Sequence, residues 1–206
     1  TASTACNLVL KEEGFQPDIV AGHSLGEYSA LVAAGSLDFA DAVRTVRLRG
    51  QFMQEAVPLG EGAMAAILGL DEEKIKSICT QISTQGATVE AVNFNCPGQI
   101  VIAGATKAVE QAVESMKEAG AKRAVMLNVS APFHSTLMQP AAERLAEVLD
   151  TITIRDAVIP VVANVNGEIE RTAADIKASL VKQAASPVLW VKCVQTMQTF
   201  GADTFV

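Results

Sequence analysis

The chain has 206 residues, half of them hydrophobic and 19% charged, with a formal net charge of −7. That length buries one good core, or a core plus a small inserted subdomain, and the composition excludes a disordered chain. The acidic balance argues against a general nucleic-acid binder, and no apolar run approaches the ~20 residues that span a bilayer.

Residues 1–14 read as the end of a helix that closes at Gly14. A short apolar run, 18–22, then leads into Gly22-His23-Ser24-Leu25-Gly26. This is G-x-S-x-G, the strand–turn–helix elbow that holds a nucleophilic serine at its tip. Side chains at 22 and 26 are expected to collide with the neighbouring strand and helix. A small-residue helix, 25–34, follows and stops at Gly35. Asp38 is placed to cap a long helix to about Val57.

That helix carries Phe39, Ala42, Val46 and Met53 at helical spacing, and Arg49 falls on the same stripe. An inward guanidinium needs an anion, because an unpaired buried charge costs several kcal/mol. The partner is either internal, with Glu27 as the candidate, or a substrate carboxylate gripped bidentately.

Residues 62–128 alternate in another way. Strand 63–69, helix 71–83, strands 88–95 and 99–103 about a Cys96-Pro97-Gly98 turn, helix 105–119 and strand 123–128 make a β-α-β-β-α-β order. That order predicts a ferredoxin-like insert. The order therefore predicts an α/β chain: a core made of 1–61 and 129–206, interrupted by the insert at 62–128. The core resumes with Pro132-Phe133-His134-Ser135, a helix from Met138 to Leu149, strand 159–163, a turn at Asn164–Gly167, a helix capped by Thr172 and ending at Gln183, and a helix opened by Pro187. Thr204-Phe205-Val206 reads as the start of a strand, so the chain is expected to be truncated.

A serine nucleophile needs a base. His23 lies inside the elbow, where its ring is expected to pack under the turn. His134, in a loop, is the other histidine. Asp38, Asp41 and Asp71 lie between serine and histidine but read as helix caps or first-turn residues, so a Ser24–His134 dyad is expected, with a neutral group orienting the imidazole. The four cysteines, Cys6, Cys79, Cys96 and Cys193, show no C-x-x-C pair and are expected as reduced core thiols of a cytoplasmic protein, with no metal site.

Four segments in order, GHSLGEYSA from Gly22, RLRGQFMQ from Arg47, NFNCPGQ from Asn93 and PFHS from Pro132, resemble the malonyl-CoA:acyl carrier protein transacylases of bacterial fatty acid synthesis. The resemblance covers the whole chain and implies an α/β fold, a hydrolase-like core with a parallel sheet and a ferredoxin-like insert. It implies that Ser24 takes the malonyl group, that His134 is base and then acid, and that Arg49 pairs with the malonyl carboxylate. It also implies that the main-chain carbonyl of Gln183 orients His134 and that the Leu25 N–H is an oxyanion donor. Asn95 is expected to line the acyl or pantetheine channel, and Phe133 to crowd an α-methyl substituent. No metal or cofactor is implied, malonyl-CoA being a substrate; the partners are malonyl-CoA and acyl carrier protein, with no nucleic acid or membrane, and the protein is expected to be monomeric. Lys122, Arg123, Lys182 and Lys192 are candidates for a carrier-docking patch. The family's N-terminal strand with its G-Q-G-x-Q segment, which supplies a second oxyanion donor, is absent from this sequence, as is a portion beyond Val206. Two other readings of the same elbow are a serine esterase or thioesterase, and a truncated, non-catalytic carrier-binding domain.

Overall fold

The computed structural model describes residues 1–84 and 86–206. In chain order the first elements are helix α1 (Ala2–Glu12), strand β1 (Val20–Ala21), helix α2 (Gly26–Ala33) and helix α3 (Phe39–Glu55). There follow β2 (Gly62–Leu68), α4 (Glu72–Ser83), β3 (Val89–Cys96), β4 (Gln99–Ala105), α5 (Thr106–Glu118) and β5 (Arg123–Met126). A 3-10 turn at Thr136–Met138 leads into α6 (Gln139–Asp150), then β6 (Val161–Val162), β7 (Ile169–Glu170), α7 (Ala173–Gln183) and α8 (Trp190–Phe200). Among the described residues no helix is long and apolar enough to cross a membrane.

Two sheets result. In one, β1 pairs in parallel with β6, and β7 returns antiparallel along the other edge of β6. Its helices bury their apolar stripes against each other: Tyr28 and Leu31 of α2, Phe52 and Met53 of α3, Leu145 and Leu149 of α6, and Ile176 and Leu180 of α7 form one cluster. Val161 joins that cluster, while Val162 faces the other way onto Cys193 and Met197 of α8. A strand covered on both faces has no polar side, which is why this stretch reads as a continuous apolar run.

The second sheet has the order β3-β4-β2-β5, antiparallel throughout. Its residues alternate as a pleat requires. Ala65, Ile67, Ile100 and Ile102 meet α4 and α5 on one face; Met64, Val101 and Ala103 line the other with Val92. Residues 187–189 run along β3, where the Val188 N–H donates to the Val92 carbonyl at 2.8 Å and its carbonyl accepts from the Phe94 N–H at 3.0 Å.

Several expectations change. β1 and β6 have two residues each instead of five. β5 stops at Met126. β7 was not anticipated, because Ile169-Glu170 is too short to show a period. Pro187 does not open a helix; α8 starts at Trp190, since 187–189 are held by β3. Thr204–Val206 form no strand. Phe39 is exposed, and Thr45 and Phe52 complete the buried face of α3 around Arg49. Asp71 caps α4 through the Glu73 and Lys74 N–H groups, and Thr172 caps α7, as expected. Asp38 stands at the N-cap of α3 but its side chain takes Arg155 instead, at 2.9 Å. Cys79 and Cys193 are buried, whereas Cys6 and Cys96 are exposed rather than part of the core.

Candidate active site

The turn between β1 and α2 is tight because position 22 has no side chain. A Cβ on Gly22 would lie 2.0 Å from the Gly26 carbonyl carbon and 2.5 Å from the Glu27 nitrogen. Gly26 behaves differently from the expectation: nothing lies within 4 Å of its Cβ position. Ser24, at the tip, has φ +54°, a conformation that non-glycine residues adopt only when their surroundings enforce it.

His134 is brought to that tip by a second tight turn. The Ser135 hydroxyl donates to the Pro132 carbonyl at 2.7 Å, and His134 itself sits at φ +65°. Its Nε2 accepts the Ser24 hydroxyl at 2.7 Å, and its Nδ1 donates to the Gln183 main-chain carbonyl at 2.9 Å. No carboxylate takes that place among the described residues. The Gln183 hydrogen bond fixes the tautomer whose Nε2 is a free base. Burial, reinforced by the Arg49 charge, lowers the His134 pKa from 6.5 to about 4, so the ring is neutral at pH 7.

Arg49 reaches the same oxygen from α3. Its Nη2 donates to Ser24 Oγ at 2.9 Å and to Gln183 Oε1 at 3.1 Å. Its Nε is buried with no partner among the described residues. Glu27 is not its ion-pair partner, because the Gln183 amide stands between them: Gln183 Nε2 donates to Glu27 Oε2 at 3.0 Å and to the Ser24 carbonyl at 3.0 Å. Glu27 is 2% exposed and Gln183 fully buried. Burial raises the Glu27 pKa from 4.5 to about 7, against the opposing pull of the Gln183 and Asn164 hydrogen bonds. A buried guanidinium with an open N–H and, among the described residues, no carboxylate in contact can bind a ligand carboxylate.

Ser24, His134, Arg49 and Gln183 thus converge. Leu25 does too: it is the residue before α2, and no protein acceptor takes its N–H among the described residues. Asn95 does something not anticipated. Its Oδ1 accepts from His23 Nε2 at 2.8 Å, and the His23 ring lies 5.5 Å from that of Trp190, so His23 is hydrogen-bonded rather than merely packed. Phe133 is half-buried and packs against both the helical cluster and the Met64 face of the second sheet. Of the four basic residues considered for docking, Lys192 pairs with Glu168 at 3.6 Å and the Lys122 stem lies over Gly69.

Sequence reasoning missed Asn164 and the side chain of Gln183. Asn164 lies in a segment that reads as a turn, Asn164-Val165-Asn166-Gly167, and only the fold brings it under the elbow.

The model of the acyl transferase domain family matches residues 3–206. The chain is 55% identical over 206 residues to the malonyl CoA-acyl carrier protein transacylase of Bacillus subtilis, covering all of this chain and 65% of that protein. Among solved structures it is similar to the acyl-carrier-protein S-malonyltransferase of Burkholderia pseudomallei, with TM-score 0.95 and 51% identity over 98% of this chain and 66% of that one. It is as similar to a malonyl-transacylase solved in complex with a type II PKS acyl-carrier protein, with TM-score 0.95 and 51% identity over 98% of this chain and 65% of the other. The chain spans about 65% of the length of the curated relatives it matches.

Proposed function

The chain belongs to the acyl transferase domain family, and from that premise we propose that the protein transfers the malonyl group of malonyl-CoA to the phosphopantetheine thiol of acyl carrier protein. The reaction is ping-pong, through a malonyl ester on Ser24. One observation carries this reading: Ser24 Oγ lies 2.7 Å from His134 Nε2 and 2.9 Å from Arg49 Nη2. A base and a carboxylate receptor meet on one nucleophile.

His134 Nε2 accepts the Ser24 proton as Oγ attacks the thioester carbonyl. The developing oxyanion is met by the Leu25 N–H at the start of α2. As the tetrahedral intermediate collapses, the CoA thiolate leaves and takes the proton from His134. The second half repeats these steps with the carrier thiol as nucleophile and Ser24 as leaving group. Throughout, Arg49 grips the malonyl carboxylate. An acetyl group would leave that guanidinium unpaired, and a site built for a polar group rejects an analogue lacking it by roughly 10⁴. The main-chain carbonyl of Gln183 replaces the carboxylate of a hydrolase triad. Phe133 beside the base would limit an α-methyl group, and Asn95, through His23, would border the channel.

We read residues 62–128 as a ferredoxin-like subdomain inserted into a hydrolase-like core of 1–61 and 129–206. The β3-β4-β2-β5 order and the parallel β1–β6 pair support that division. The unpaired cysteines suit a reducing, cytoplasmic setting.

The test is transfer. Protein preloaded with malonyl-CoA and freed of excess should pass its acyl group to added carrier protein bearing the pantetheine thiol. Release of malonate to water, with no malonyl-carrier formed, would make it a hydrolase instead.

A further inference from the structure

Asn164 stands outside the set of reacting groups, yet it touches the elbow at three points. It follows β6 by two residues and is fully buried. Its Oδ1 accepts the Ser24 N–H at 2.6 Å, its Nδ2 donates to the Gly22 carbonyl at 2.9 Å, and its own N–H donates to Glu27 Oε2 at 2.9 Å. Its carbonyl accepts from the Leu189 N–H at 2.9 Å, so the residue is itself fixed at both ends. The three elbow atoms belong to the end of the strand, the tip of the turn and the first turn of the helix. An amide side chain offers an acceptor and a donor side by side in this way without depending on pH, as a carboxyl does only when protonated.

We propose that Asn164 is a positioning residue for acylation of Ser24: it holds the serine at its left-handed φ and, by occupying the Ser24 N–H, leaves the Leu25 N–H as the elbow's open donor. This rests on Ser24 being the nucleophile. A strained tip is kept only where its surroundings over-determine it, and one asparagine supplies two of the backbone bonds that do so. Losing it lets the tip relax, and misplacing a reacting group by about 1 Å costs roughly 10²-fold in rate.

The test compares Asn164→Ala and Asn164→Asp with the parent in the intact protein. Two quantities are read: the rate at which a fluorophosphonate labels Ser24, and kcat and KM for malonyl-CoA. The fluorophosphonate needs no carboxylate receptor, so failure to label the parent protein would refute Ser24 as the nucleophile, separately from any role of Asn164. In both variants labelling and kcat should fall together, by about 10- to 100-fold, with KM unchanged because Arg49 is untouched. The aspartate variant is nearly isosteric and decides the matter if the alanine variant does not fold. Its carboxylate can still accept the Ser24 N–H, but it faces the Gly22 carbonyl and the Glu27 carboxylate. Protonation restores the missing donor, so its labelling rate relative to the parent should rise as pH falls. His23, Arg49, His134, Glu170 and Cys193, the other ionisable groups around the elbow, are common to both proteins and divide out of that ratio, while Glu27, which accepts the N–H of residue 164, is coupled to the new carboxylate and gains its proton in the same direction, as pH falls. Unchanged labelling in a folded variant, a pH-independent ratio, or a raised KM at constant kcat would overturn the proposal.

Discussion

Ser24 and His134 are the two non-glycine residues, among those described, whose φ is positive, at 54° and 65°, and their side chains are joined at 2.7 Å. Backbone strain of this kind costs of order 1–3 kcal/mol per residue and persists where neighbouring structure enforces it. Here it falls on the two groups between which the proposed mechanism moves a proton.

The strain at Ser24 can be measured by comparing two variants that both lack the hydroxyl. Glycine normally destabilises relative to alanine, through the entropy of the unfolded chain. At a left-handed position the order reverses, because a Cβ there costs roughly 1–2 kcal/mol. Ser24→Gly should therefore unfold at higher urea concentration than Ser24→Ala, by about 1 kcal/mol in stability. The opposite order would mean that the tip is relaxed.

Glu27 and His134 should oppose each other in the pH dependence of stability. Glu27 has a pKa of about 7 in the fold against 4.5 in the unfolded chain, so the native state holds its proton more tightly. Its contribution is complete below pH 4.5 and is lost as pH rises to 7. His134 moves from 6.5 to about 4, so its contribution is complete above 6.5 and is lost as pH falls to 4. Each is worth on the order of 3 kcal/mol. Glu27→Gln keeps an acceptor for Gln183 and Asn164 but removes the titration. Its unfolding free energy, relative to the parent, should climb by about that amount between pH 4.5 and 7. Parallel curves in urea titrations across that range would contradict the burial-driven shift of Glu27.

How much of this was legible beforehand depended on whether the signal was local. Ser24 and Arg49 could be found from a five-residue motif and a helical stripe, each local to its segment, and His134 because the chain has only two histidines. The β-α-β-β-α-β succession was legible because its strands are long enough to alternate. β7 was not, because two residues have no period. Gly26 was misread because the motif treats its two glycines alike, whereas only Gly22 faces the helix backbone across the turn. Asn164 and the Gln183 side chain were hidden because their partners lie 140 and 156 residues away, at Ser24 and Glu27. Such hydrogen bonds leave no trace in spacing.

Gln183→Glu should be a selective defect. The change is isosteric, leaves the main-chain carbonyl on His134, and puts a carboxylate 3.1 Å from Arg49 Nη2, while the amide N–H bonds to Glu27 and to the Ser24 carbonyl are lost, a cost that both thioesters share. Arg49 would then hold an internal anion that competes with the malonyl carboxylate. Close charge pairs can couple by about 1.5–7 kcal/mol, so malonylation of Ser24 should fall by roughly 10-fold or more. Acylation by acetyl-CoA, which makes no use of Arg49, should fall far less. Equal losses for the two thioesters, measured side by side, would show that Arg49 is not the malonyl receptor.

The central claim is that Ser24 carries the acyl group and Arg49 selects it. Intact-mass spectrometry after mixing the intact protein with malonyl-CoA, without acceptor, tests this directly, beside Ser24→Ala, Arg49→Ala and a parallel set with acetyl-CoA. The account predicts a malonyl adduct on the parent protein, none on Ser24→Ala, and for Arg49→Ala a preference for malonyl over acetyl reduced by up to about 10⁴. An adduct that survives Ser24→Ala, or an Arg49→Ala protein that still prefers malonyl-CoA as strongly as the parent, would contradict it.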